Sequence, residues 1–411
     1  MTETSSSKSS YTSEESSQNI DLAGDIINQY NVIVELGHGS YSIVWLVYSI
    51  EDNKFYALKV QNPEDYDDGI EEIKTMKKIS NKEQYINCMI DSFIESRLID
   101  DKERKFVCSV YDICCGNLDG FARKGKYNNG YEITTVKKIL KQVSLGLLSI
   151  HTKLKGFHGD IKPDNILLCG INDRDIKYIK LYEKANFPSL YINVKNEYKK
   201  EKNIHTITKK DKIRIRKKLH RSIIDSFPSI DDSPYNINEN YITNPCIKIT
   251  DFGFFCHKDE KFNKSFGTRY YQSPENILHG KCNEKVDVWA LGCMLYELVT
   301  GSILFDPDSD ERGSTDFHHL ELIINLCNEF NPKYLPSMNN CNKFFKKGKL
   351  ENMIYTEDFA QDTNTKLSKK LKEFNKIDLH LTDLLVQMLQ LEPNKRIDIL
   401  GILKHPWLNM S

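Results

Sequence analysis

The chain has 411 residues, of which 39% are hydrophobic and 10% aromatic, enough apolar material for one large domain or two lobes. A formal net charge of −1 excludes a globally basic nucleic-acid binder and a strongly acidic protein. Eleven cysteines with no C-x-x-C, no signal peptide and no apolar run near the ~20 residues of a membrane span point to a reduced, soluble intracellular protein.

Residues 1–24 form a Ser/Thr/Glu-rich tail with almost nothing apolar. Such a segment cannot repay the entropy of ordering, so it is either simply disordered or a phosphorylated regulatory arm. Val32, Val34 and Leu36 alternate with polar residues and predict a strand, and Val44 to Ile50 predicts a second. The turn between them, Gly37-His38-Gly39-Ser40-Tyr41-Ser42, could bring bare N–H groups to phosphate oxygens, although glycines in a hairpin are commonly turn chemistry alone. On the next predicted strand, Phe55 to Val60, Lys59 sits among apolar residues, either snorkelling or paired with a buried anion. Ile70, Ile73 and Met76 predict a helix over 67–79, from which Glu72 or its rival Glu71 could reach Lys59.

Strands are expected near 88–95 and 105–111, then an irregular connector from Asp112 to Gly116. An amphipathic helix over 134–151 leads into His158-Gly-Asp160-Ile-Lys162-Pro-Asp-Asn165. That loop aims a carboxylate, a lysine and a carboxamide at one small volume, the residue types that phosphoryl transfer requires. Residues 170–245 read as an insertion, since so long a structureless connection rarely belongs to a compact core. Its basic run over 199–221 is either solvated surface or a contact for acidic partners or localisation. Cys246 to Gly253 then delivers Asp251 at a glycine turn, a position suited to a metal ligand or to an ordinary Asp-initiated turn. Ser273-Pro-Glu275 precedes an apolar helix that starts at Asp287, its expected cap, and ends at Gly301. The acidic stretch Asp306 to Glu311, helices near 319–327 and 381–391, and Arg396 complete the chain.

In this order the motifs resemble the eukaryotic protein kinase signature set: Gly37-x-Gly39, Ala57-x-Lys59, Glu72, His158-x-Asp160-x-Lys162-x-x-Asn165, Asp251-Phe-Gly253, Ser273-Pro-Glu275, Asp287-x-Trp289-x-x-Gly292 and Arg396. Leu36 to Leu46 with Trp45, Glu64-Asp-Tyr66, Val136-Lys-Lys-Ile, His151-Thr-Lys and Gly301 to Pro307 are similar to the CMGC group, and within it to the SR-protein kinase family. Phe252 departs from that family's Asp-Leu-Gly, and Ser42 stands where a third glycine is usual.

The resemblance implies an α+β, bilobal protein-kinase fold over 25–408, with a β-rich N-lobe (about 30–112) and a mainly helical C-lobe (about 113–408). It implies ATP and Mg2+ as cofactors. Asp160 would take the substrate hydroxyl proton, Lys162 would steady the γ-phosphate, and Asn165 and Asp251 would hold the metal. Leu36, Gly37, His38, Gly39, Ser40, Tyr41, Ser42, Ile43, Val44, Ala57, Lys59, Glu72, Asp112 and Cys114 would bind the nucleotide, with Tyr111 gating the pocket behind it. Gly159 stands where regulated kinases carry an arginine that grips an activation-loop phosphate, which implies activity without that phosphorylation. The acidic stretch with Asp316 occupies the place where the family holds arginine-rich segments, or is a solvated loop. Gln272, in place of a CMGC arginine, argues against strict proline direction. The expected partner is a basic or Arg/Ser-rich protein substrate, with no direct nucleic acid and no membrane. A monomer in the cytoplasm or nucleus is favoured. A CMGC-like kinase of other specificity, or a scaffold using the basic insertion for contacts, are the alternatives.

Overall fold

The computed structural model describes residues 21–39, 41–80, 82–99, 101–124, 126–231, 233–257, 265–309 and 313–410. Most of the predicted tail lies outside them, as do Ser40, Asp310 and Glu311. The N-lobe is built from β1 (Ile26–Ile27), β2 (Tyr30–His38), β3 (Ser42–Ser49), β4 (Lys54–Gln61), α1 (Tyr66–Met76), β5 (Asp91–Ile99) and β6 (Lys102–Tyr111). Its sheet is antiparallel in the order β1-β2-β3-β4-β6-β5.

Successive side chains on a strand face opposite ways, and on β3 both ways lead into a core. Trp45 and Val47 pack with Val32, Leu58, Phe106 and Val110 on one face. Leu46 and Tyr48 pack on the other with Ile33, Tyr182, Phe187 and Ile223. The last three come from the predicted insertion.

The C-lobe begins with β7 (Cys114–Asn117), α2 (Leu118–Arg123), α3 (Ile133–Ser149), β8 (Gly156–Phe157) and β9 (Ile166–Cys169). Part of the expected connector is therefore a strand, because β7 finds a partner in β9. The chain leaves the small sheet at Cys169 and rejoins it at β10 (Ile247–Ile249), which pairs with the other edge of β9. Between these strands lie α4 (Asp173–Ala185), α5 (Phe187–Lys202), α6 (Lys209–Asp225) and α7 (Asn240–Thr243), where the sequence alone suggested no elements.

Helices α4 and α6 are fastened to β2 and the turn before it, and α5 packs on both of them. Asn31 Nδ2 donates to the Tyr182 hydroxyl (2.7 Å), which meets His220 Nδ1 (3.3 Å), and His220 Nε2 donates to the Val32 carbonyl (2.8 Å). Arg216 donates to Asn31 Oδ1 and to the carbonyls of Gln29 and Asn28, and Arg174 to the carbonyl of Glu35.

After β11 (Cys256–His257), α8 (Pro274–Ile277) precedes α9 (Lys285–Thr300), which is buried on every side from Val286 on and so forms the central C-lobe helix. Gly301, at φ +77°, closes it as expected. Asp287 is not its cap: the helix starts two residues earlier, and the carboxylate is engaged elsewhere. Helix α10 (Thr315–Cys327) begins four residues before the expected start. Arg396, fully buried over the Trp289 ring, donates to both carboxylate oxygens of Glu275 (2.8 and 3.1 Å).

Burial pushes the His220 ring down to about 4 and that of His319 in α10 to about 3. Both are therefore neutral when folded and take up protons near pH 6.5 only when unfolded. As pH falls from about 6.5 toward 4, folding stability is expected to drop by up to ~1.4 kcal/mol per pH unit for each group. Denaturant titrations across that window check this, and His220→Gln should flatten the slope. Stability that rises as the medium acidifies would contradict it.

Candidate active site

The site lies where the N-lobe sheet meets the loop between β8 and β9. Lys59 on β4 and Glu72 on α1 meet where the helix packs beside the N-lobe sheet. A Cβ on Gly69 would stand 1.9 Å from Gln61 Oε1, so a side chain there would have to displace the Gln61 carboxamide. Lys59 Nζ then donates to both Glu72 oxygens (3.0 and 2.9 Å), while Gln61 Nε2 donates to Glu72 Oε2 (3.2 Å). Glu72 is buried and Glu71 is exposed beside Lys74, which decides between the two candidates. Asp251 Oδ1 lies 3.5 Å from the same ammonium. Burial alone would lower the Lys59 pKa, but Glu72 and Asp251 outweigh it and hold the group well above its ordinary value. Asp251 is held low despite its burial, chiefly by Lys59.

Three hydrogen bonds to Asp287, one from a ring and two from backbone amides, shape the loop. His151 Nε2 (2.7 Å) and the backbone N–H groups of His158 and Gly159 (2.9 Å each) donate to its carboxylate. Buried completely, that carboxylate would titrate high, yet these donors, His151 first, hold it below its usual range. Gly159 is at φ +83°, and a Cβ there would stand 2.5 Å from the Phe254 carbonyl oxygen. His158 Nε2 donates to the Thr250 carbonyl (3.0 Å) and its Nδ1 accepts from the Asp160 amide (3.2 Å), tying the loop to the segment that leads from β10 to Asp251.

Asp160 is consequently fixed from three sides. Its Oδ1 accepts from the Thr268 amide (2.7 Å), and its Oδ2 accepts from Asn165 Nδ2 (3.1 Å) and lies 3.0 Å from Lys162 Nζ. Lys162 also donates to the Thr268 hydroxyl (2.6 Å). Asn165 spends its amide nitrogen on Asp160, leaving oxygen as its ligand atom. With the Asp251 carboxylate this is a hard oxygen donor set, which fits magnesium.

The remaining predicted nucleotide contacts divide. Val44 lies opposite both Gly37 and Lys59, and Ala57 opposite Leu46 and Tyr111, all on the cleft face. No atom lies within 4 Å of a Cβ placed on Gly37, and Gly39 N–H donates to the Ser42 carbonyl (2.9 Å), so the turn is open above the cleft. Leu36 packs near Ile113, while Ile43 points to the opposite face with Trp45 and Val60 and is not brought to the cleft. His38 and Tyr41 are exposed. Asp112 lies 3.7 Å from Lys248, and Cys114 faces Cys169 across β7 and β9. Tyr111 is buried at the back.

Sequence reasoning missed an acidic group at the foot of the loop. Arg123 on α2 bridges Asp119 and Glu297, Tyr271 donates to Glu297 (2.5 Å), and Asp164 lies near enough to repel Asp119. Desolvation and then Asp119 push Asp164 up against the pull of Lys162 and Arg123, and burial pushes Glu297 up. Three carboxylates share Arg123 and, at longer range, Lys162, a net negative group at the foot of the loop. Asp306 and Asp308 are exposed, whereas Asp316 is taken by Arg269 and is not free to bind substrate.

Comparison with known proteins agrees with this geometry. The family model described as protein kinase domain matches residues 30–182 and 234–408, omitting the middle of the helical insertion. The serine/threonine-protein kinase SRPK of Physarum polycephalum is 27% identical over 93% of this chain and 86% of its own length. Human SRSF protein kinase 3 is 24% identical over 94% and 87%, and the fission-yeast protein kinase dsk1 25% over 92% and 80%.

Replacing Gly159 by alanine or arginine is expected to cost about 1–3 kcal/mol, because either must hold a left-handed φ against the Phe254 carbonyl. Thermal melts and initial phosphotransfer rates check it. A Gly159→Arg protein as stable and active as its parent would show that the turn tolerates a side chain.

Proposed function

Because the chain belongs to the protein kinase family and is a serine/threonine-protein kinase, we propose that it phosphorylates basic, Arg/Ser-rich proteins. The observation that supports this substrate class is the carboxylate group of Asp119, Asp164 and Glu297 at the foot of the catalytic loop, together with the exposed carboxylates of Asp306 and Asp308. An acidic surface raises the encounter rate of a cationic peptide and orients it by Coulomb complementarity.

In this reading the nucleotide lies under the Gly37–Ser42 turn against Val44 and Ala57, its adenine at the backbone near Asp112 and Cys114. Lys59, held by Glu72, contacts the α- and β-phosphates. Asp160, oriented by Thr268 and Asn165, accepts the proton of the attacking serine or threonine hydroxyl as the oxygen moves onto the γ-phosphorus. Lys162, between Asp160 and Thr268, steadies the transferring group. A magnesium ion on Asn165 and Asp251 neutralises phosphate charge when bound. Gly159 has no side chain for an activation-loop phosphate, so activity should not depend on one. Among the described residues no helix is long and apolar enough to cross a membrane. A cytoplasmic or nuclear protein acting as a monomer fits this reading.

Lys59→Met and Asp160→Ala should each lower phosphotransfer to a basic substrate at least ~100-fold, and Lys59→Met, which strands the buried Glu72 carboxylate, should also lower the melting temperature. Phosphatase treatment should leave the parent active. A peptide array should show preference for arginines flanking the acceptor serine, and Asp164→Asn should weaken it. An array preferring acidic flanks would overturn the substrate class while leaving the kinase assignment standing.

A further inference from the structure

Helix α6 has two differently charged tasks. Its inner face is committed to the sheet through Ile215, Arg216, His220 and Ile223. Its outer face is not. Arg214, Lys217, Lys218 and Arg221 are exposed there and, with Asp25 and Asp225, line an open groove of about 800 Å³. Four cations face these two carboxylates and Asp211, which lies 3.4 Å from Arg214; Asp25 is shared between Lys217 (3.1 Å) and Arg97 (2.7 Å), a cation outside the groove, so positive charge is in excess. The groove is therefore an anion site in search of charge.

The chain itself passes along this groove. Arg221 donates to the Ala23 carbonyl (2.8 Å), and a Cβ on Gly24 would lie 2.6 Å from the Arg221 side chain. Residues 1–20 precede this point and hold eight serines, three threonines, three glutamates and one lysine. Ser13, Ser16 and Ser17 flank the pair Glu14-Glu15. An extended residue spans at most ~3.6 Å, so Ser16, five residues before Asp21, reaches up to ~18 Å from it, within range of the groove. Unmodified, the segment's side chains sum to only −2, from three Glu and one Lys. Three phosphoserines would add about −5 and supply the strong acceptor oxygens that arginine and lysine bind.

We propose that the basic groove of α6 is the docking site for the chain's own segment 1–20 when it is phosphorylated at serines around Glu14-Glu15. Phosphorylation transfers the γ-phosphoryl group of ATP: the serine O–P bond forms as the bond to ADP breaks, and the hydroxyl proton is released. Docking then ties the start of the chain to helices that already cover the N-lobe sheet. The assignment is independent of which kinase modifies the tail and of the substrate class proposed above.

A labelled synthetic peptide of residues 1–20 with phosphoserine at 13, 16 and 17, titrated against the phosphatase-treated full chain by fluorescence anisotropy, tests this. The phosphopeptide should bind at least tenfold more tightly than the unmodified peptide, and more weakly as salt rises. Arg214→Glu with Lys218→Glu should remove at least tenfold of that affinity. The neutral pair Arg214→Gln with Lys218→Gln should lose less, with unchanged melting temperature. Placing Ser13→Asp, Ser16→Asp and Ser17→Asp in the chain itself should weaken the peptide by competition. Equal binding of the two peptides, indifference to the charge reversals, or no competition from the chain's own acidic tail would each overturn the proposal. So would a single-stranded oligonucleotide that occupies the groove and that the phosphopeptide cannot displace.

Discussion

A buried carboxylate must find donors or become neutral, and Asp287 finds three around the catalytic loop. Two of them are backbone N–H groups of adjacent residues, which can point at one carboxylate only if the chain turns sharply there. The turn forces Gly159 to positive φ and packs its α-carbon against the Phe254 carbonyl, so a side chain is excluded for steric reasons. The absent arginine is therefore one consequence of how the loop is held as well as a clue to regulation. From this anchor Asp160, Lys162 and Asn165 inherit their positions.

Charge in the cleft follows from the same economy of donors. Lys59 would be destabilised by burial if it stood alone; Glu72 and Asp251 reverse that, and Gln61 satisfies a remaining lone pair of Glu72. Asp251 in turn stays ionised because Lys59 is charged. Each group is tolerable only in the company of the others. On the substrate side the balance is uneven: Arg123 pairs with Asp119 and Glu297, and Asp164 feels Arg123 and Lys162 only at longer range.

Much of this was legible in the sequence because it depends on local spacing. The hairpin, the lysine strand and the catalytic loop are written in runs of a few residues, and their order carried the kinase fold. What failed to show was anything decided by approach between distant segments. Periodicity placed Glu71 and Glu72 on neighbouring edges of one helix face; the choice is visible only where Glu72 meets Lys59 and Gln61 on another element. Asp119, Asp164 and Glu297 are far apart in the chain and form a group only after α2, the loop and α9 have packed. Asp287 looked like a cap because its place at a helix start is common to both roles.

The insertion shows both the signal and its disguise. In α6 the residues Ile215, Leu219 and Ile223 recur every four positions, a narrow apolar seam hidden by the cations around it. The complementary signal sat on β3, where Trp45-Leu46-Val47-Tyr48 is unbroken rather than alternating. An unbroken apolar strand needs cover on both faces, yet the remaining N-lobe elements cover one. The second cover had to come from elsewhere in the chain, and the helices between β9 and β10 supply it. Because they depart and return beside the strand leading to Asp251, the covering layer joins the outer N-lobe sheet to the metal-binding turn through a few short segments. Packing that appears to be a surface elaboration in sequence is thus part of the core on which the cleft is built.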